Sequence, residues 1–239
     1  MKANFNWKPK ERGIYMKKQK RLLIVLLACI FIASLLLTGC GPSEDPADAD
    51  PSGEGTGEVT KGGTAVVALY AVCYTYDPQK TTSYGDWSIN NHIYDTLVTL
   101  DFDGQTIVPS LATDWTVSED GMTYTFNLRD DVKFHSGKAM TAADVKYTFE
   151  RWMDPDTASP TKEYIVNIAS VEAPDDYTFV IHMAKPDNNI LLRCASTCAG
   201  ILNQESVEAG GESYGTSVVD GTGPFRFKEY IQDDRTILE

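Results

Sequence analysis

Trp115-Thr116-Val117-Ser118-Glu119-Asp120-Gly121-Met122-Thr123-Tyr124-Thr125-Phe126-Asn127-Leu128 decides the fold of this 239-residue chain. Two runs alternating apolar with polar residues flank an Asp-Gly pair, the pattern of an antiparallel hairpin whose turn needs positive φ. A second such signal precedes it, Leu97 to Gly104 leading into Ile107-Val108. A third follows, with Ile168 to Val171 and Tyr177 to Met183 turning at Pro174-Asp175-Asp176. The middle of the chain is therefore read as antiparallel β. Thr141-Ala142-Ala143-Asp144 ahead of Val145, Phe149 and Trp152 predicts a capping box opening an amphipathic helix, which Asp154-Pro155 ends.

Toward the N-terminus, Gly63 to Tyr70 is short, apolar and β-branched, which predicts a buried strand. Asp77-Pro78 turns the chain, a polar and aromatic loop follows (Thr81 to Asp86), and Trp87 to Leu97 has helical spacing of apolar residues. Toward the C-terminus, Asn188 to Ala199 is expected to be helical. Gly221-Thr222-Gly223-Pro224 precedes a strand over Phe225 to Tyr230, and Arg235 to Leu238 begins another.

The front end is of a different kind. A basic stretch, Met16 to Arg21, precedes sixteen residues, Leu22 to Leu37, whose one polar side chain is Ser34. A spanning helix needs about 20 apolar residues, so the run is read as a cleaved secretion signal. Met16 is the expected start. Leu37-Thr38-Gly39-Cys40 resembles a lipobox, which implies a diacylglyceryl group on Cys40 and anchoring to the outer face of a membrane. Residues 41 to 61 hold three prolines, four glycines and six acidic residues with no aromatic, a composition that cannot bury a core. They form a tether of roughly 25 Å average reach.

From Cys40 onward, 13 Lys and Arg stand against 33 Asp and Glu, which excludes nucleic acid as a partner. The acidic residues are scattered, as suits solubility. Besides Cys40 this part holds Cys73, Cys194 and Cys198, with 194 and 198 spaced to share one helix face. Buried free thiols and a disulfide are both open readings. His92, His135 and His182 are scattered, so no metal site and no cofactor are expected.

Ala112 to Gly137, with Trp115, Ser118, Asp120-Gly121, Tyr124-Thr125-Phe126, Leu128-Arg129, Val132-Lys133-Phe134-His135 and Gly137, resembles the signature of the extracytoplasmic solute-binding proteins of family 5, which feed peptide and nickel ABC transporters. The likeness extends from Gly62 through Tyr76-Asp77-Pro78 and the Thr141-to-Val145 helix start to Gly221-Thr222-Gly223-Pro224-Phe225. It departs at Tyr76, where Leu is common, and at Ser136, where an acidic residue is common. The resemblance implies an α/β, periplasmic-binding-protein-like fold (type II, cluster C) with two lobes. This sequence would supply only the first lobe and its β-rich subdomain, the second lobe being missing.

The implied layout is signal 1–39, lipidated Cys40 and tether 40–61, first segment of lobe I 62–96, β-rich subdomain 97–187, and a truncated return into lobe I 188–239. The resemblance places ligand contacts in the loop after Asp77-Pro78, at Thr82, Ser83 and Tyr84, with Tyr74, Asp86 and Trp87 close by. Trp115, Asp120, Gly121, Arg129, Phe134, His135, Gly137, Thr141, Asp144, Gly223 and Pro224 are signature residues with structural roles. His135 and Asp144, nine residues apart, have no nucleophile placed beside them, and His135 is expected to bond to backbone.

The reading that follows is a monomeric, lipid-anchored, extracytoplasmic binding protein that captures a peptide or similar small solute for permease subunits. It is not an enzyme. The rivals are a truncated envelope lipoprotein acting as a structural or interaction module, and a secreted hydrolase. The second would need a nucleophile, a base and an orienting group placed together, and the sequence has no His-Glu-x-x-His.

Overall fold

In the computed structural model, which describes residues 62–231 and 234–239, both Asp-Gly pairs sit at hairpin tips. Strand β1 (Val98–Leu100) pairs antiparallel with β2 (Ile107–Pro109), and β3 (Ala112–Val117) with β4 (Thr123–Leu128). Gly104 and Gly121 both have φ +68°, open to glycine without steric cost. Each loop is longer than a two-residue turn. The carboxylate of Asp120 accepts from the Met122 amide (3.0 Å) and the Ser118 hydroxyl (2.6 Å), while Asp103 does the same for the Thr106 amide and hydroxyl.

β4 continues into a four-stranded sheet of order β3-β4-β6-β5, with β5 spanning Ile168–Asp175 and β6 Thr178–Met183. Tyr124, Phe126 and Leu128 alternate inward on β4, as do Phe179, Ile181 and Met183 on β6. Helix α1 spans Tyr84–Ile93, and α2 spans Ala142–Met153. α2 lays Val145, Phe149 and Trp152 on the inward face, where the Phe149 and Phe179 rings lie 5.1 Å apart. Burial of each such side chain contributes about 1.5–3 kcal/mol. The capping box forms, with the Asp144 carboxylate accepting from the Thr141 amide at 3.1 Å. Trp152 donates its indole N–H to the Thr161 hydroxyl at 3.0 Å.

A second core gathers Cys73, Tyr76, Ile89, Ile93 and Tyr94 with Leu202, Val207 and Tyr214. The hairpin of β7 (Phe227–Ile231) and β8 (Arg235–Leu238) packs on it through Phe227, Tyr230 and Leu238. Thus Tyr94 belongs to one core and Leu97 to the other.

Three expectations are corrected. Gly63 to Tyr70 is not a buried strand: it lies outside any strand, with Val66 94 % and Tyr70 84 % exposed. Among the described residues no strand pairs with it, and β-branched character makes a strand only when a neighbour completes the ladder. The helix expected at Trp87 to Leu97 begins earlier, at Tyr84, and stops at Ile93, because Tyr94 turns extended (φ −119°, ψ 137°) to carry Leu97 into the sheet core. The helix expected at Asn188 to Ala199 divides into α3 (Ile190–Cys194) and a 3-10 turn (Thr197–Ala199) around an extended Ser196. Cys194 and Cys198 are accordingly buried free thiols, and burial pushes the Cys194 thiol up to about 12. Helix α4 (Gln204–Gly210), with Val207 its one buried residue, escapes sequence reading.

Candidate functional site

The loop after Asp77-Pro78 is fixed at its base by charge. Asp77 is buried, and its carboxylate accepts from Arg151 of α2 (2.5 and 3.3 Å) and from the Gln79 amide (3.0 Å). The Gln79 side chain donates to the Thr148 carbonyl at 2.8 Å and accepts from Arg151 at 2.6 Å. A bidentate guanidinium and a bridging amide thereby satisfy the carboxylate and the amide buried at the base of the loop.

Asp86 pins the other end. It is 1 % exposed, and its oxygens accept from the Tyr74 amide (2.6 Å), the Thr75 amide (3.5 Å) and the Thr81 hydroxyl (2.5 Å). Asp86, expected as a ligand contact, has its oxygens engaged in shaping the loop. The remaining candidates stay at the surface: Tyr74 and Tyr84 are exposed, as is Thr82, and Ser83 and Trp87 are half-buried. The rings of Tyr84 and Trp87 meet edge to face at 5.7 Å. The indole N–H of Trp87 is buried and has no partner among the described residues.

Trp87 also opens onto a cleft of about 580 Å³. Asn91, one turn further along α1, lines it beside Trp87, as do Tyr94 and Asp95 where the chain has left the helix. Facing them are Thr99 and Leu100 of β1, Tyr164, and the turn from Ala195 to Cys198. The Thr197 hydroxyl donates to the Asn91 side chain at 2.6 Å, tying that turn to α1. The Asp95 carboxylate accepts from the Thr222 hydroxyl at 3.0 Å. Of these residues the sequence reading found Trp87 alone. Asn91 was findable by extending its helical stripe, whereas Asp95 lies past the helix end and Tyr164 and Thr197 arrive from distant segments without a local signal. A wider, shallower groove runs past Lys80, Tyr147 and Glu150, where Arg151 is already spent on Asp77.

The signature residues support this arrangement from behind. His135 accepts from the Gly221 amide through Nδ1 (3.4 Å) and donates through Nε2 to the Gly223 carbonyl (2.8 Å), while its own amide donates to the Gly221 carbonyl (2.9 Å). Gly223 and Phe225 in turn donate their amides to the carbonyls of Ile93 (2.8 Å) and His92 (3.0 Å) at the end of α1. Gly221-Thr222-Gly223 is thus clasped between an imidazole and a helix terminus. Arg129 is bidentate to Asp131 (2.9 and 3.0 Å), and Asp144 pairs with Lys138 (2.6 Å) besides capping α2. Trp115 stands across from Phe126, Phe134 is buried, and Gly137 takes φ +94° in the turn that follows it. Pro224 is exposed.

Comparison with known proteins agrees with this architecture. Residues 106–239 match the family model described as bacterial extracellular solute-binding proteins, family 5 Middle. The glutathione-binding protein GsiB of Pectobacterium atrosepticum is 31% identical over 175 residues, 73% of this chain and 34% of its own. Among solved structures, the substrate-binding domain of an oligopeptide ABC transporter from Bacillus anthracis aligns with a TM-score of 0.66 at 27% identity, over 69% of this chain and 35% of that one. DppA of Helicobacter pylori, in complex with the peptide STSA, aligns with a TM-score of 0.62 at 31% identity, over 70% of this chain and 36% of its own. The chain spans about a third of the length of the curated relatives it matches. Its fold is that of the periplasmic binding proteins, and these relatives are transport binding proteins, not enzymes. The chain belongs to family 5 of the bacterial extracellular solute-binding proteins.

Proposed function

We propose that this chain is a substrate-binding lipoprotein of an ABC importer, taking an oligopeptide, dipeptide or similar small solute against the cleft beside Trp87 and passing it to permease subunits. The observation that carries this reading is the unpartnered, buried Trp87 indole N–H beside a cleft of about 580 Å³. Ligand sites span roughly 300–1,000 Å³, with mostly apolar walls and a few placed polar groups. A buried donor without an acceptor costs about 1–3 kcal/mol, and a ligand carbonyl would relieve that cost on binding. Tyr74, Thr82, Ser83 and Tyr84 form the adjoining rim, where aromatic faces and backbone groups suit an extended peptide without reading each side chain. Binding favours a closed state to the extent that the ligand makes contacts there that the open state lacks.

The anchor completes the reading. Cys40 lies outside the described residues, and the lipobox around it supports a lipid-anchored protein held beside its transporter.

Indole N–H signals in nuclear magnetic resonance test the ligand assignment, because the chain has four tryptophans and Trp87→Phe identifies the one concerned. Adding a mixture of di- and tripeptides is expected to shift the Trp87 signal and leave that of buried Trp152 in place. A Trp87 signal that stays put at millimolar peptide removes the proposal. Cys40→Ser is expected to move the protein from the membrane to the soluble fraction; unchanged partitioning would exclude the lipid anchor.

A further inference from the structure

Among the described residues the cleft beside Trp87 carries a single carboxylate, that of Asp95, and no Lys, Arg or His lines it. Asp95 is oriented without being neutralised. One of its oxygens accepts from the Thr222 hydroxyl at 3.0 Å, and Thr222 in turn accepts from the Asp95 amide at 3.3 Å. A hydroxyl is a neutral donor, so this bond adds no counter-charge. Two arginines lie in the neighbourhood without lining the cleft, Arg129 within electrostatic reach of Asp95. Arg129 is bidentate to Asp131, and the Arg193 guanidinium lies over the Tyr164 ring at 4.5 Å.

Aromatic surface accompanies the charge. Trp87, Tyr94 and Tyr164 all line the cleft. Tyr94 is 4 % exposed and Tyr164 already holds a guanidinium, which leaves Trp87 as the ring with a face to offer. An indole face attracts cations more strongly than the other aromatic side chains do. A ligand carboxylate placed here would meet Asp95 with no compensating cation on this wall, a repulsion that discriminates as effectively as an attraction.

We propose that this cleft selects solutes bearing a cationic side chain, an ammonium or a guanidinium, with Asp95 as its counter-charge and Trp87 as its flanking ring. The proposal rests on the cleft being the ligand site. It adds that the site reads charge.

The test titrates the full chain with trilysine, trialanine and triglutamate and follows the Trp87 indole signal. Trilysine is expected to bind at least about tenfold more tightly than trialanine, the scale of one hydrogen-bonded charge pair, and triglutamate most weakly. The chain as a whole carries a net charge of −13 and attracts cations non-specifically, so the deciding comparison is Asp95→Asn. That variant keeps an acceptor for Thr222, removes one charge, and is expected to bring trilysine to the trialanine level. Asn91→Asp, which keeps the acceptor for Thr197, adds a charge to the same wall and is expected to tighten trilysine binding. If Asp95→Asn loses the Trp152 signal and so fails to fold, Asn91→Asp decides alone, and no gain there overturns the proposal. A lysine preference that survives Asp95→Asn, or equal binding of the three peptides, overturns the charge assignment and leaves the ligand site standing. A Trp87 signal indifferent to all three overturns both.

Discussion

Gly221→Ala is expected to keep the chain from reaching its folded state. A Cβ built on Gly221 falls 2.1 Å from the Ile93 carbonyl oxygen and 2.9 Å from the Tyr94 ring, far inside van der Waals contact. The obstacle is backbone, and it is held. The Ile93 carbonyl accepts from the Gly223 amide, and Gly221 itself is fixed by its carbonyl and amide to His135. Relief requires giving up several hydrogen bonds of the clasp together. A cost above about 4 kcal/mol is expected, in the rare upper tail of single substitutions and a large part of the 5–15 kcal/mol that holds a domain folded. Gly104→Ala is the control: φ there is positive, at +68°, as it is not at Gly221, and no atom lies within 4 Å of the added methyl. It should cost about 1–2 kcal/mol, the price of left-handed backbone alone. Denaturant titration followed by tryptophan fluorescence compares the two, and equal midpoints would show that the close approach is not real.

Breaking the buried ion pair beneath the Asp77-Pro78 loop should have the next largest effect. Arg151→Met leaves the Asp77 carboxylate, 3 % exposed, without its counter-charge and removes the donor that holds Gln79. Loss of one partner from such a pair costs about 3–5 kcal/mol, mostly for the charge left behind. Arg151→Lys keeps the charge but has one point of contact where the guanidinium has a fork, so it should recover part of the loss and not all. The double variant Asp77→Asn with Arg151→Met should be more stable than the sum of the two single losses predicts, because no buried charge remains. Strict additivity of the midpoints would mean that the two groups do not interact.

What the sequence disclosed about this molecule follows the range of the interactions involved. Gly121 at a hairpin tip, Asp144 three residues past Thr141, and the inward alternation of Tyr124, Phe126 and Leu128 were legible because each is settled within a few residues. Gly63 to Tyr70 was not, since a strand exists only with a neighbour, and its apolar side chains stand in solvent among the described residues. Asp86 illustrates the same limit at the site. A carboxylate in a polar, aromatic loop reads as a ligand contact, and only the return of Tyr74 and Thr75 beside it shows where its lone pairs go. Trp87 was found by its place after that loop. Its cleft needed Tyr164 and Thr197, brought together by two cores that no local pattern announces.

The clasp of His135 on Gly221 and Gly223 has a further consequence for how such a chain tolerates change in length. Segment 221–225 has no regular secondary structure, yet the amides of Gly221, Gly223 and Phe225 and the carbonyls of Gly221 and Gly223 are each matched with His135, His92 or Ile93. Inserting a residue there shifts every match at once, whereas the tips at Asp101 to Gly104 and Ser118 to Gly121 bond chiefly within themselves. Lineages can lengthen those tips, and an experimenter can graft an epitope or a fluorophore onto them. The irregular segment, which looks like the freer of the two on paper, is the one that must keep its count.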